Sequence, residues 1–211
     1  MDKYLVLVNK NNNFDPTILE DYEMVSVKDS DGKTYVEKET LKAFEKLIAV
    51  MKKRGIGLSI TSAGRTIETQ QKVFEQIKRL KGEEVAIKQV AMPGQSEHHT
   101  GLAFDVGVHK LLLPAEQAIY QSQLLTRIAN KIKRPTKEEE NAMYAVLHEE
   151  LAECGFILRY PEDKKAITGV EVYEPWHIRY VGVEHAKAMQ ELGMCLEEYV
   201  AYLKEQENTV D

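Results

Sequence analysis

The chain has 211 residues, 43% of them hydrophobic and 29% charged, enough for one substantial core and too short to argue for two. A net charge of −6 and a pI near 5.6 exclude a role that depends on a basic patch displacing counterions from a phosphate backbone, so nucleic acid is not an expected partner. The basic runs "MKKRG" and "NKIKRP" read as solvated faces.

Cys154 and Cys195 are the only cysteines. They form no C-x-x-C pair, so neither a disulfide framework nor a thiolate metal site is indicated, and both read as small buried hydrophobes. The apolar run "YLVLV" near the N-terminus spans only residues 4–8, shorter than the roughly 7–15 residues of a secretory core. The expectation is a chain without signal peptide or spanning helix. It is then cytoplasmic, or extracytoplasmic with an anchor removed.

In chain order, "YLVLV" reads as a short buried strand, followed by the polar turn "NKNNNFDP". Thr40 is the expected cap of "LKAFEKLIAVMKKRG", in which Leu41, Phe44, Leu47, Ile48 and Met51 recur at helical spacing and Gly55 supplies the stop. "LSITS" is a strand by its branched residues, and "RTIETQQKVFEQIKRL" returns to helical period. The stretch from Lys110 to Lys137 reads as a lid or an inserted helix, the helix being preferred. A helix follows from about Pro135, with Glu138 to Glu140 near the positive end of its dipole and Gly155 as its stop. "FILRY", "VEVYE" and "HIRYV" read as three short strands, and "EHAKAMQELG" and "LEEYVAYLKEQ" as closing helices. Clustered strands without strict βαβ alternation predict an α+β domain over residues 1–211, with a largely antiparallel sheet and a helical insertion at about 110–137.

Chemistry concentrates in "QSEHHTGLAFDVG", residues 95–107. A catalytic zinc takes about three protein ligands and keeps one position open. His98 and Asp105 supply two, but seven positions of regular strand would set them on opposite faces, so "HTG" with Gly101 must break the strand. Beyond the break, Ala103, Asp105 and Gly107 share one face, and Leu102, Phe104 and Val106 the apolar one. His99 competes with its neighbour as ligand.

The second half lies in "YEPWHIRY", where Pro175 forces an edge or bulge that turns Glu174 and His177 into one cleft. His177 is then the third ligand and Glu174 the general base toward a water. Two neutral imidazoles and one carboxylate leave a net +1 on Zn²⁺, which preserves its Lewis acidity. Each of these residues alone is more often structural, and Trp176 alone is more often core than substrate platform. His109, His148 and His185 have no comparable carboxylate pattern and read as surface or core. Arg65, in "TSAGRTIETQ", stands where a strand gives way to a helix. From there its guanidinium either reaches a substrate carboxylate or developing oxyanion, or forms a surface salt bridge.

These motifs carry a resemblance. "SEHHTGLAFD" resembles the S-x-H-x-x-G-x-A-x-D motif of the VanY/LdcB-type zinc D,D- and L,D-carboxypeptidases of peptidoglycan metabolism (M15 peptidases), "EPWHIRYVG" their E-x-W-H motif, and "SAGRT" their S-G-Y-R-S/T motif. The run "GFILRYPEDKKAITGVEVYEPWHIRYVG" is particularly similar to the cytoplasmic VanXY-type enzymes. The likeness extends over nearly the whole chain, from about Leu5 to "LEEYV". It implies a Hedgehog/D,D-peptidase-like zinc fold with a central antiparallel sheet flanked by helices. It implies Zn²⁺ held by His98, Asp105 and His177, Glu174 as base, and Arg65 at the substrate's charge. Ser96 and Gln70, with Trp176, are the implied substrate contacts. Gly64 departs from the family's aromatic at that position, and the 110–137 segment is the other departure.

The leading expectation is a zinc carboxypeptidase that removes a terminal D-alanine from a peptidoglycan stem peptide or D-alanyl-D-alanine-containing precursor. A D-alanyl-D-alanine dipeptidase, or a bifunctional enzyme, is the near alternative. A non-catalytic peptidoglycan-binding module is the distant one, and Glu174 beside the third ligand argues against it.

Overall fold

The computed structural model describes residues 2–30, 32–111 and 135–208. The segment read as an insertion at about 110–137, with most of "NKIKRP", therefore lies largely outside the described residues. The rest is α+β with antiparallel sheets. A hairpin of β1 (Met24–Asp29) and β2 (Gly32–Glu37) leads into α1 (Lys38–Lys53). A second sheet takes β3 (Ile56–Ser62), β4 (Ala103–Lys110), β5 (Phe156–Leu158) and β6 (His177–Tyr180) in the order β3-β4-β6-β5. Around it stand α2 (Ile67–Lys81), α3 (Glu83–Gln89), α4 (Lys137–Glu150), α5 (Lys165–Thr168), α6 (Val183–Leu192) and α7 (Leu196–Asn208).

The sheet separates two environments by the period-2 alternation of its strands. Phe104, Val106 and Val108 of β4 and Ile178 of β6 face a core completed by Phe44, Leu47 and Met51 of α1 and Tyr144 and Leu147 of α4. Ala103, Asp105, His177 and Arg179 fall on the other face, and the antiparallel register sets Ala103 opposite Arg179 and Asp105 opposite His177. A second core of Leu5, Ile157, Val181, Met189, Leu196 and Val200 packs the terminal segments together.

Helix boundaries follow local chemistry. α1 is capped by Glu37, not by Thr40: the Glu37 carboxylate accepts from the Thr40 backbone N–H at 2.8 Å and its hydroxyl at 3.1 Å, because Thr40 already lies buried inside the first turn. Gly55 ends the helix at φ 75° as expected. α4 begins after Thr136, which forms a capping box with Glu139. That helix stops at Glu150, and a single 3₁₀ turn carries the chain to Gly155.

Two expected strands are absent. "YLVLV" begins as a 3₁₀ turn, Lys3–Leu5, and the carbonyls of Tyr4 and Val6 accept from Arg179 at 2.9 Å each instead of from a neighbouring strand. "VEVYE" has no strand partner among the described residues and leads as an irregular segment into the turn before β6. Conversely, the β1–β2 hairpin was not expected from the sequence. Both cysteines are buried free thiols, and no helix of the described residues is long and apolar enough to cross a membrane.

Candidate active site

Residues 96–105 form a turn followed by a strand. Glu97–Thr100 make one 3₁₀ turn, held by the Thr100 hydroxyl donating to the Glu97 carbonyl at 2.6 Å. Gly101 then reverses the chain at φ 70°, where a side-chain carbon would meet Met24 Cε at 2.7 Å. This break, expected from "HTG", carries His98 back over Asp105, with His98 Nε2 3.3 Å from Asp105 Oδ2. Strand register supplies the third group: Asp105 Oδ1 lies 2.9 Å from Nδ1 of His177, its cross-strand partner.

One donor atom from each of His98, Asp105 and His177 lies within 4.8 Å of the other two. Two imidazoles and a carboxylate match the donor set of a catalytic zinc, with a position left for a reactant. The tautomer fits as well. His98 Nδ1 is 2.6 Å from the Ala63 carbonyl, a contact that demands a proton on Nδ1 and leaves Nε2 as the lone-pair donor.

The electrostatics favour a cation here. Burial alone would raise the Asp105 carboxyl, yet His98 and His177 hold it well below the ordinary carboxylate range. Burial alone would lower the His177 imidazole, and Asp105 and Glu97 outweigh it, pushing it up to about 9 in the metal-free chain. A proton and a metal ion thus compete for the same lone pair.

Glu174 stands beside this group, its Oε2 3.9 Å from His177 Nδ1. Burial raises its carboxyl, with Asp105 adding to the effect and His177 opposing it. Pro175 precedes β6 and does not interrupt a strand. β6 lies between β4 and β5, and the side chains are aimed by a turn closed by the His177 N–H donating to the Glu174 carbonyl at 3.1 Å. His148 Nε2 fixes that turn at the Pro175 carbonyl, 2.9 Å away.

Among the described residues, Arg65 forms no salt bridge. Its Nη1 donates to Gln70 Oε1 at 2.8 Å and its Nη2 to Ser62 Oγ at 2.6 Å, both neutral acceptors. Gln70 is buried and spends its Nε2 on the Ala91 carbonyl at 2.7 Å, so its amide holds the arginine. The Arg65 backbone N–H donates to the His98 carbonyl at 2.9 Å, which ties the arginine loop to the turn that bears His98. His99 is committed to the same join: its Nδ1 meets the Arg65 carbonyl at 2.7 Å and its Nε2 accepts from the Gly94 N–H at 3.1 Å. Both of its nitrogens are used, which removes it as a ligand. Ser96 is buried and does not cap the turn through its side chain. Trp176 is partly buried against the main core, and His185 packs on Tyr199.

The sequence reading did not single out Glu97, Arg159 and Arg179, all buried on the site's face of the sheet. A signal was present: in "HIRYV" the arginine shares a face with His177 by strand alternation, and Glu97 adjoins His98.

The family model for VanY, D-alanyl-D-alanine carboxypeptidase, matches residues 33–183. The chain is 33% identical over 208 residues to the bifunctional D-Ala-D-Ala dipeptidase and carboxypeptidase VanXYC of Enterococcus gallinarum, covering 94% of each. Among solved structures, it is similar to a VanY D,D-pentapeptidase mutant from a VanB-type resistance cassette in complex with Zn(II), with TM-score 0.70, 29% identity, and 94% of this chain and 99% of that one covered. VanYB in complex with D-alanine-D-alanine gives TM-score 0.71 at 29% identity, covering 95% of this chain and 98% of the other. With the motif residues brought together on the matching fold, the chain belongs to the VanY family of D-alanyl-D-alanine carboxypeptidases.

Proposed function

We propose that this protein is a zinc-dependent carboxypeptidase that hydrolyses the terminal D-alanine peptide bond of a peptidoglycan stem peptide or D-alanyl-D-alanine-containing precursor. The observation that carries the reading is the convergence of His98, Asp105 and His177 within 4.8 Å, with the Glu174 carboxylate 3.9 Å from the same imidazole. His98, Asp105 and His177 would hold the ion. When bound, Zn²⁺ supplies Lewis acidity to a carbonyl oxygen and makes a water more acidic.

The remaining roles belong to the chain's own side chains. Glu174, beside His177, takes a proton from the attacking water and returns it to the leaving amine. Arg65, oriented by Ser62 and Gln70, meets negative charge developing on the substrate. Ser96 and Trp176 are substrate contacts, and Gln70 acts through Arg65.

A bifunctional activity that includes free D-alanyl-D-alanine is the second reading, favoured by the matching lengths of this chain and VanXYC. Zinc-loaded protein incubated with D-alanyl-D-alanine and with pentapeptide, tetrapeptide and depsipeptide substrates, and followed by mass, separates the readings. Loss of one D-alanine from the pentapeptide supports the proposal, and additional cleavage of the dipeptide supports bifunctionality. No hydrolysis of any substrate would overturn both. A cytoplasmic location would bring the enzyme to soluble precursors and an exported one to wall peptides, which fractionation of native cells distinguishes.

A further inference from the structure

Beside the ligand cluster lies a buried ionic group that the chemistry above does not use directly. Oε1 of Glu97 accepts from Arg159 Nε at 2.7 Å and from Arg179 Nη1 at 2.8 Å. Arg159 turns its other two nitrogens onto Glu197 of α7, at 2.9 and 2.6 Å. Arg179 spends Nη2 on the carbonyls of Tyr4 and Val6. Each guanidinium is thereby well satisfied. The Oε2 of Glu97 is not: it has no hydrogen-bond partner among the described residues, and neither has His177 Nε2, which faces it at 3.7 Å.

Two orphaned buried polar atoms, a carboxylate oxygen and an imidazole nitrogen, call for a proton on the nitrogen between them. The distance is that of an ion pair, somewhat beyond a direct hydrogen bond. Where that proton sits decides what the ring offers on its other side. With the proton on Nε2, Nδ1 presents a lone pair beside Asp105. With the proton on Nδ1, the nitrogen beside Asp105 cannot ligate, and the remaining lone pair on Nε2 points at Glu97.

We propose that Glu97 is a positioning residue for the metal site, its free oxygen holding the His177 proton on Nε2 so that Nδ1 faces the ion, as carboxylates do behind metal-bound histidines. This rests on the reading of His177 as a zinc ligand. The arginines sharpen the demand for a carboxylate. Two cationic donors converge on Oε1, so only an acceptor fits there. In a Glu97→Gln variant the amide oxygen would stay with the arginines and the NH₂ group would turn to His177, donor against donor. The ring would then favour the opposite tautomer, with the ligating nitrogen blocked.

If Glu97 served only to neutralise the arginines, the same change would lower stability without touching the metal. Glu197 is the control, since it pairs with Arg159 but its bonds go to Arg159 and Asn9, not to His177. The test measures zinc affinity by chelator competition and the His177 tautomer by ¹⁵N NMR in zinc-loaded wild type, Glu97→Gln and Glu197→Gln. The proposal expects a proton on Nε2 in the wild type and zinc binding about 10–100-fold weaker in Glu97→Gln. It expects wild-type affinity in Glu197→Gln despite lost stability. An unprotonated Nε2 in the zinc-loaded wild type overturns it, even where Glu97→Gln fails to fold. Unchanged affinity in Glu97→Gln, or an equal loss in Glu197→Gln, also overturns it while leaving the ligand assignment intact. A wild-type chain that takes up no zinc overturns the metal reading and this inference together.

Discussion

Glu174, the proposed base, would have a chemical use that opposes its structural comfort. Its carboxyl is raised by burial, so its folded value lies above its unfolded one. Below the unfolded value, about 4.3, both states are protonated and nothing is lost; as pH rises through the folded value, ionisation destabilises the native state. In the metal-free protein, Glu174→Gln should therefore raise the melting temperature at neutral pH, with the gain vanishing in acid, as thermal melts across pH will reveal. The same variant should lose about 10²–10⁴ in kcat/KM with zinc retained. Arg65 makes a different prediction. Held by Ser62 and Gln70 and paired with no carboxylate among the described residues, it is proposed to meet charge that grows along the reaction. Arg65→Ala should then lower kcat more than it raises KM, and Arg65→Lys, with charge but no planar fork, should recover only part of the rate. Steady-state kinetics on both variants decide, and wild-type values in Arg65→Ala would remove the residue from the mechanism.

At the level of elements, the β1–β2 hairpin accounts for the glycine that departs from the family's aromatic. A side-chain carbon on Gly64 would collide with the Tyr35 carbonyl oxygen, and the Thr34 hydroxyl donates to the Gly64 carbonyl. The hairpin backbone occupies the space where a side chain would stand. Gly64→Ala should displace it, with a destabilisation of about 1–3 kcal/mol typical of overpacking, measured by denaturant unfolding. Unchanged stability would mean that the hairpin yields freely. Because Asp29 Oδ2 also accepts from the Ala63 N–H at 3.2 Å, the shift should reach the loop that bears Arg65. The hairpin was legible in principle from "MVSV", a D-G turn and "TYV". The missing N-terminal strand was not, since its apolar run is genuine and only the distant Arg179 claims the carbonyls a strand partner would have used.

Across the whole molecule, the legible part of the site is the part built locally. His98 and Asp105 are joined by one turn, Glu174 and His177 by another, and antiparallel register closes the gap between them. Spacing and residue type foretell such geometry. The ionic group behind it was hidden because its pairs span the chain, from Glu97 to Arg159, from Arg159 to Glu197, and from Arg179 to Tyr4. Nothing in a local window announces that an arginine just after β5 and another within β6 share one buried carboxylate. The same group links the first residues, the last helix and the metal-binding face, so that the terminal segments support the site. The central claim is that these elements converge to hold one zinc ion, and metal analysis of purified protein tests it most directly. The account predicts one zinc per chain in the wild type, kept in His99→Ala and lost in His98→Ala. A wild type without zinc, or a His98→Ala variant that binds it undiminished, would contradict it.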